Sequence, residues 1–184
     1  MISAWELPTS LSVGGVGFAI RTDYRVILDI LVMFQDPEIE PDEKVWEMLK
    51  ILYVDFDSIP DERYGEAAER ASEFIDMGIE DDGKLSPRLM DWEQDASIIA
   101  PAVNGVMGRD VRAAEYIHWW TFLSAYMEIR ESLFTEVVSI RRKLAKGKKL
   151  EKAEREFYRD NRALVNLKQK YTAEDEKILD SWLK

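Results

Sequence analysis

The chain has 184 residues, one histidine, no cysteine and a formal net charge of −11. That length favours one domain with a real core, and the missing cysteines exclude disulfides, thiolate chemistry and cysteine-ligated zinc. No run approaches the roughly 18 apolar residues that a membrane-spanning helix needs. Met1 to Pro8 holds an acid and no basic segment, so no signal peptide is expected and a cytoplasmic protein fits.

The charge is uneven. Residues 1–110 carry 9 Lys or Arg against 24 Asp or Glu, and residues 111–184 carry 16 against 12. Residues 141–170 alone carry 12 against 4. A chain polarised in this way suits an acidic partner at its C-terminal part, or pairing with its own acidic half, within one molecule or between copies. The overall sign argues against general affinity for nucleic acid.

Ser10 to Ile20 predicts a β-hairpin: Leu11 and Val13 alternate with serines, Gly14-Gly15 supplies a two-residue turn, and Val16, Phe18 and Ile20 alternate after it. Such a hairpin is marginal alone and should dock on helices or on another chain. Asp23 caps a predicted helix through about Phe34, with Val26, Ile27, Ile30, Leu31 and Phe34 on its apolar side. Pro41 starts a second helix carrying Val45, Met48, Leu49 and Leu52. Pro60 opens a third, with Ala67, Ala71, Phe74 and Ile75 inward and an end near Gly78. Glu80 to Gly83 reads as an acidic loop. A helix from about Leu89 to Val106 should kink at Pro101.

Ala113 to Ile129 is apolar on nearly every side, the pattern of a buried helix. It predicts a central helix from about Arg112 to Glu131. A helix over Leu133–Ala145 should break at Gly147. The next, Leu150 to Tyr171, places Leu150, Phe157, Leu164 and Tyr171 seven residues apart, with Ala153, Asp160 and Leu167 between them. That seam is too broken by Asp160 for a coiled coil and suits an outer helix laid on one neighbour. Ala173 to Leu183 predicts a last short helix with Trp182.

Candidate chemistry is sparse. His118 has no second histidine for a metal set and no recognisable triad; a hydrogen-bonded core histidine is expected. Asp91 and Asp95 share a helix face, but Asp91 reads better as a helix-start acid and Asp95 as the partner of a base in the C-terminal helices. The runs Asp55-Phe56-Asp57 and Glu80-Asp81-Asp82-Gly83 lack the spacing of a calcium loop, and Gly14-Gly15-Val16-Gly17 is followed by no phosphate-loop lysine. Solvated acids and a hairpin turn remain. Arg141, Arg142, Lys143, Lys146, Lys148 and Lys149 form one basic cluster. Phosphate contact is open to it, but without interleaved aromatics or a reader motif a charged rim around a protein contact is favoured. No catalytic constellation and no cofactor or metal site is expected, so the chain reads as a non-enzymatic binding protein.

Asp91-Trp92-Glu93-Gln94-Asp95, Ile98-Ile99, Ile117-His118-Trp119-Trp120-Thr121-Phe122 and Ile140-Arg141, followed by a charged helix, resemble the bacteriophage gene-product-fifteen family of long-tailed phages and prophages. Leu7-Pro8 before a glycine-turn hairpin and Ile20-Arg21-Thr22-Asp23-Tyr24-Arg25 before the first helix are similar too. The resemblance runs from about 7 to 171. It implies a place in the tail gene module beside the tape-measure protein, where tail assembly chaperones are commonly encoded. It supplies no catalytic residues.

The expected fold is mainly α: a multi-helix orthogonal bundle around a central apolar helix, with an N-terminal β-hairpin. The expected organisation is a single domain over 1–184, comprising a hairpin arm (1–22), a helical core (23–131) and charged C-terminal helices (132–184). Trp92, His118, Trp119, Trp120 and Phe122 are the expected structural core. Arg141, Arg142, Lys143, Leu150, Phe157 and Leu164 are the candidate partner contacts, chosen by exposure. The expected function is a tail assembly chaperone that binds the tape-measure protein, as a homo-oligomer in the host cytoplasm. The alternatives are a structural tail component retained in the virion, or a nucleic-acid-binding phage protein.

Overall fold

The structure, a computed structural model, describes residues 5–79 and 87–168. The acidic loop at 80–83 and the predicted helix at 173–183 lie outside the described residues, as does Tyr171. What is described is mainly helical with a two-stranded N-terminal hairpin. It forms two compact units. One holds residues 5–79 with 116–121, the other 87–115 with 122–168.

In the first unit, β1 (Ser10–Val13) pairs antiparallel with β2 (Val16–Ala19), Val13 facing Val16 across the turn. Gly14 and Gly15 have φ of 59° and 81°. Two consecutive positive φ values define the tight turn whose twist matches the strands, and glycine adopts them without a Cβ penalty. Leu11 and Val13 are buried on the face turned to α3, while β2 is largely exposed.

Three helices follow: α1 (Tyr24–Phe34), α2 (Pro41–Leu52) and α3 (Tyr64–Ile75). Each starts where local rules place it. Asp23 accepts the Arg25 N–H at 3.0 Å as the cap of α1. Pro41 occupies the first turn of α2, where its missing N–H costs nothing. Pro60 precedes a 3-10 turn (Asp61–Arg63) that leads into α3. Ile27, Ile30, Leu49, Leu52, Ala67, Ala71 and Phe74 form the core with Leu11 and Val13. Tyr53 is buried among them and donates its hydroxyl to the Ala67 carbonyl at 3.0 Å; desolvation raises its pKa well above the ordinary phenol value.

The second unit contains α4 (Ala96–Met107), α6 (Leu133–Ala145), α7 (Lys152–Asp160) and α8 (Arg162–Val165). Its buried side chains include Ile99, Val103, Val111, Phe122, Phe134, Val137, Ile140 and Val165. Helix α5 (Trp119–Met127) gives its first three residues to the first unit and the rest to the second.

Three expected helices differ in extent. Helix α4 begins at Ala96 rather than Leu89, because the Asp91 carboxylate takes the Glu93 and Gln94 N–H groups at 2.9 and 2.7 Å and holds those residues in a turn. Pro101 sits inside α4. The carbonyl it cannot serve belongs to Ser97, which is exposed to solvent. Helix α5 is nine residues, far shorter than Arg112–Glu131. Residues 117–119 bond to the start of α1 instead of continuing a helix: Tyr24 N–H to the Ile117 carbonyl at 2.9 Å, and Trp119 N–H to the Thr22 carbonyl at 2.7 Å. Finally, Leu150–Tyr171 is not one helix. Asn161, at φ −123° and ψ 34°, ends α7, its backbone and side-chain N–H groups both meeting the Phe157 carbonyl.

Candidate partner-binding surface

The His-Trp-Trp motif is structural. His118 is buried immediately before α5. Its Nδ1 accepts the Trp120 N–H at 3.1 Å, the position a capping side chain takes. Nε2 therefore carries the proton and donates to the Pro8 carbonyl at 2.9 Å. Both nitrogens are used, with none left for catalysis. Trp119 and Trp120 donate their indole N–H groups to the Ile75 and Phe74 carbonyls, each at 2.8 Å. Those are end carbonyls of α3; the Phe74 carbonyl also takes the Met77 N–H at 3.1 Å. Phe122 is buried in the second unit.

The Asp-Trp-Glu-Gln-Asp motif is a latch within the second unit. Asp91 holds the turn and pairs with Arg88. Trp92, half-buried, packs on Tyr126 with ring centroids 4.9 Å apart. The Gln94 amide bonds Asn166 and Lys168 through both ends, to the Asn166 carbonyl at 2.8 Å and from the Lys168 N–H at 2.9 Å. Asp95 is fully buried and accepts two hydrogen bonds from Arg141 at 2.6 and 2.9 Å. The expected ion pair of Asp95 with a base of the C-terminal helices is thus present. Tyr126 responds to its surroundings: burial first, and the Asp95 charge second, push its hydroxyl up to about 12.

Arg141 accordingly differs from its expected role as a surface contact. It is 5% exposed. Besides the two bonds to Asp95, its Nε donates to the Val165 carbonyl at 2.6 Å, Nη1 to Leu89 at 3.0 Å and Nη2 to Leu164 at 2.8 Å. A guanidinium has five N–H donors, and all five are committed. The sequence signal lay in its phase: Phe134, Val137, Ile140 and Arg141 share one helical stripe, and all four are buried.

The remaining candidates stay at the surface. Arg142 is exposed, with no ion pair among the described residues. Lys143 bonds Glu154 at 2.5 Å and lies 4.0 Å from Glu151. That contact raises the Lys143 pKa and lowers that of Glu154. Gly147, at φ 63°, turns the chain out of α6 and leaves Lys146, Lys148 and Lys149 exposed on one connection. Leu150, Phe157 and Leu164 are half-buried. Because Asn161 separates α7 from α8, Phe157 and Leu164 do not form the continuous seam their spacing suggests.

One surface feature escaped the sequence reading. Trp46, Phe56 and Tyr64 meet in the first unit, Trp46 edge-on to both rings at 5.0 and 5.2 Å and Phe56 stacked on Tyr64 at 5.1 Å. Trp46 is 42% exposed. Asp61 first, then burial and Asp57, raise the Tyr64 pKa.

Among the described residues, no group of three or more His, Asp or Glu is placed to hold a metal ion, and no helix is long and apolar enough to cross a membrane. No curated protein and no solved structure matches the chain. The family model described as Bacteriophage Gp15 protein matches residues 5–167, covering both motifs and all six candidate contact residues. The chain belongs to the bacteriophage Gp15 protein family.

Proposed function

We propose that this protein is a non-enzymatic tail assembly chaperone that binds the tape-measure protein in the host cytoplasm during tail morphogenesis. The observation that carries the reading is the family match over 5–167; the place beside the tape measure is what the resemblance implies. The surface chemistry supports it. A tape-measure protein is long, helical and partly apolar, and free in solution it presents surface that aggregates. Half-buried apolar side chains at Leu150, Phe157 and Leu164, with exposed Arg142 on the preceding helix, suit reversible cover of such a helix. Arg141 drops out of the contact set because its donors are all engaged.

Coexpression with the neighbouring tape-measure protein tests this. A chaperone renders the tape measure soluble and copurifies in many-to-one ratio; an insoluble, unaccompanied tape measure refutes the reading. Phe157→Asp and Arg142→Glu should weaken copurification, and unchanged recovery removes those residues from the contact. Mass spectrometry of purified particles distinguishes a displaced chaperone, absent from virions, from a retained tail component.

A further inference from the structure

We infer that the acidic-rimmed aromatic patch at Trp46, Phe56 and Tyr64 is the docking surface for the basic α6–α7 connection of a second copy of this chain. The patch combines three features. Its rings are packed together yet open to solvent, Trp46 at 42% and neighbouring Val45 at 37% exposure. The segment that builds it is strongly acidic: residues 36–64 carry ten Asp or Glu against two lysines and one arginine. Glu43 precedes Trp46 by three residues on α2 and so shares its face. Asp57 and Asp61 act electrostatically on Tyr64.

The complement is on the same chain. Residues 142–149 hold Arg142, Lys143, Lys146, Lys148 and Lys149 and no acid. All but Lys143 are exposed, and those four make no ion pair among the described residues. Beside them Leu144 is 39% exposed. An apolar tip ringed by cations matches an aromatic patch ringed by carboxylates. Lysine and arginine heads over Trp46 or Tyr64 gain cation–π attraction beyond charge pairing. Charge complementarity decides for a second copy over a foreign partner: both halves of the contact are encoded here, at opposite ends of the chain's own charge gradient. The two faces are different surfaces, so the contact is head-to-tail and builds rings or open rows rather than a closed two-fold dimer.

The full chain tests this by sedimentation or light scattering. Assembly should grow with concentration and collapse as salt rises, since the screening length falls from about 8 Å at physiological ionic strength to about 3 Å at about 1 M. Lys148→Glu/Lys149→Glu reverses the connection, and Glu43→Lys/Asp57→Lys reverses the patch. Each variant alone should be monomeric, with circular dichroism like the parent. Mixed together, the two should form heteromers, because the intact patch of one meets the intact connection of the other and the two reversed faces also match. A parent that is monomeric at every concentration and salt level overturns the inference. So does assembly that survives both reversals, or folded variants that fail to associate when mixed.

Discussion

Replacing Arg141 with methionine tests the buried latch most directly. The change keeps an unbranched chain near the original length but removes every donor. Asp95, fully buried, then keeps a charge with no counter-charge. Removing one partner of a buried pair costs about 3–5 kcal/mol. Three carbonyls lose their donors as well, and a dry orphaned acceptor costs roughly 1–3 kcal/mol. Only the Val165 contact is fully buried; the Leu89 and Leu164 contacts are part-buried, so water offsets most of their loss. The expected loss is about 4–8 kcal/mol. Since whole domains are stable by only about 5–15 kcal/mol, the second unit should be close to unfolded in this variant.

Urea unfolding followed by circular dichroism measures the change as a shift in midpoint. The double variant Asp95→Leu/Arg141→Met separates pairing from capping. Were Arg141 only a counter-ion, removing both charges would be nearly neutral. The geometry instead leaves the Val165 carbonyl without its donor and the Asp91 N–H without the Asp95 oxygen it meets at 3.0 Å. The double variant should therefore remain about 2–3 kcal/mol below the parent. A single variant within about 1 kcal/mol of the parent, or a double restored to parental stability, refutes the reasoning.

Three other outcomes follow from local geometry. Gly15→Ala should lose about 1–2 kcal/mol although its Cβ meets nothing within 4 Å, because φ of 81° is strained for any L side chain; thermal melts check this, and Gly15→Asn should lose less. Trp119→Phe keeps an aromatic ring but loses the indole N–H that meets the Ile75 carbonyl, costing roughly 1–3 kcal/mol in the same assay. The Glu154 carboxyl is held below its ordinary value of 4.5, chiefly by the hydrogen bond from Lys143 and then by the Glu151 N–H. A depressed acid contributes stability above its unfolded pKa and loses it as pH falls through the folded one. The α6–α7 contact should thus be intact at neutral pH and loosen in acid below 4.5, and Lys143→Ala should move the Glu154 midpoint upward when followed by carboxyl NMR.

Much of the fold was legible because its signals are local. Gly14-Gly15 fixes a turn by backbone sterics alone, Asp23 and Pro41 mark helix starts, and α6 occupies the expected span, Leu133 to Ala145. What was not legible depends on distant partners. Nothing near His118 in sequence says that Asp23 will accept the Ile117 N–H at 3.3 Å, or that Thr22 will take the Trp119 N–H and postpone the helix. An apolar run looks helical until another strand claims its backbone. Arg141 belongs to an evident basic run, and burial singles it out because α6 turns its phase inward. Trp46, Phe56 and Tyr64 lie on three separate elements, so no spacing rule joins them.

The residues that identify this chain are therefore poor probes of what it does. His118 and the two tryptophans hold α3 and the start of α5; Asp91, Gln94 and Asp95 hold the segment before α4 and the end of α8. Under the proposed role, a loss of activity after changing any of them reports lost structure. The two sequence motifs keep the fold, which leaves partner choice to side chains outside the internal ion pairs. Arg142, Lys148 and Lys149 meet that condition on the basic side, and Glu43 and Asp57 on the acidic side; none forms an ion pair among the described residues. Reversing these charges changes long-range attraction at little cost in stability, so a defect seen there in a folded variant is a defect of recognition. If every such reversal left the proposed copurification with the tape measure intact while Phe157→Asp abolished it, recognition would rest on the apolar contacts of α7, and the charge gradient would serve solubility alone.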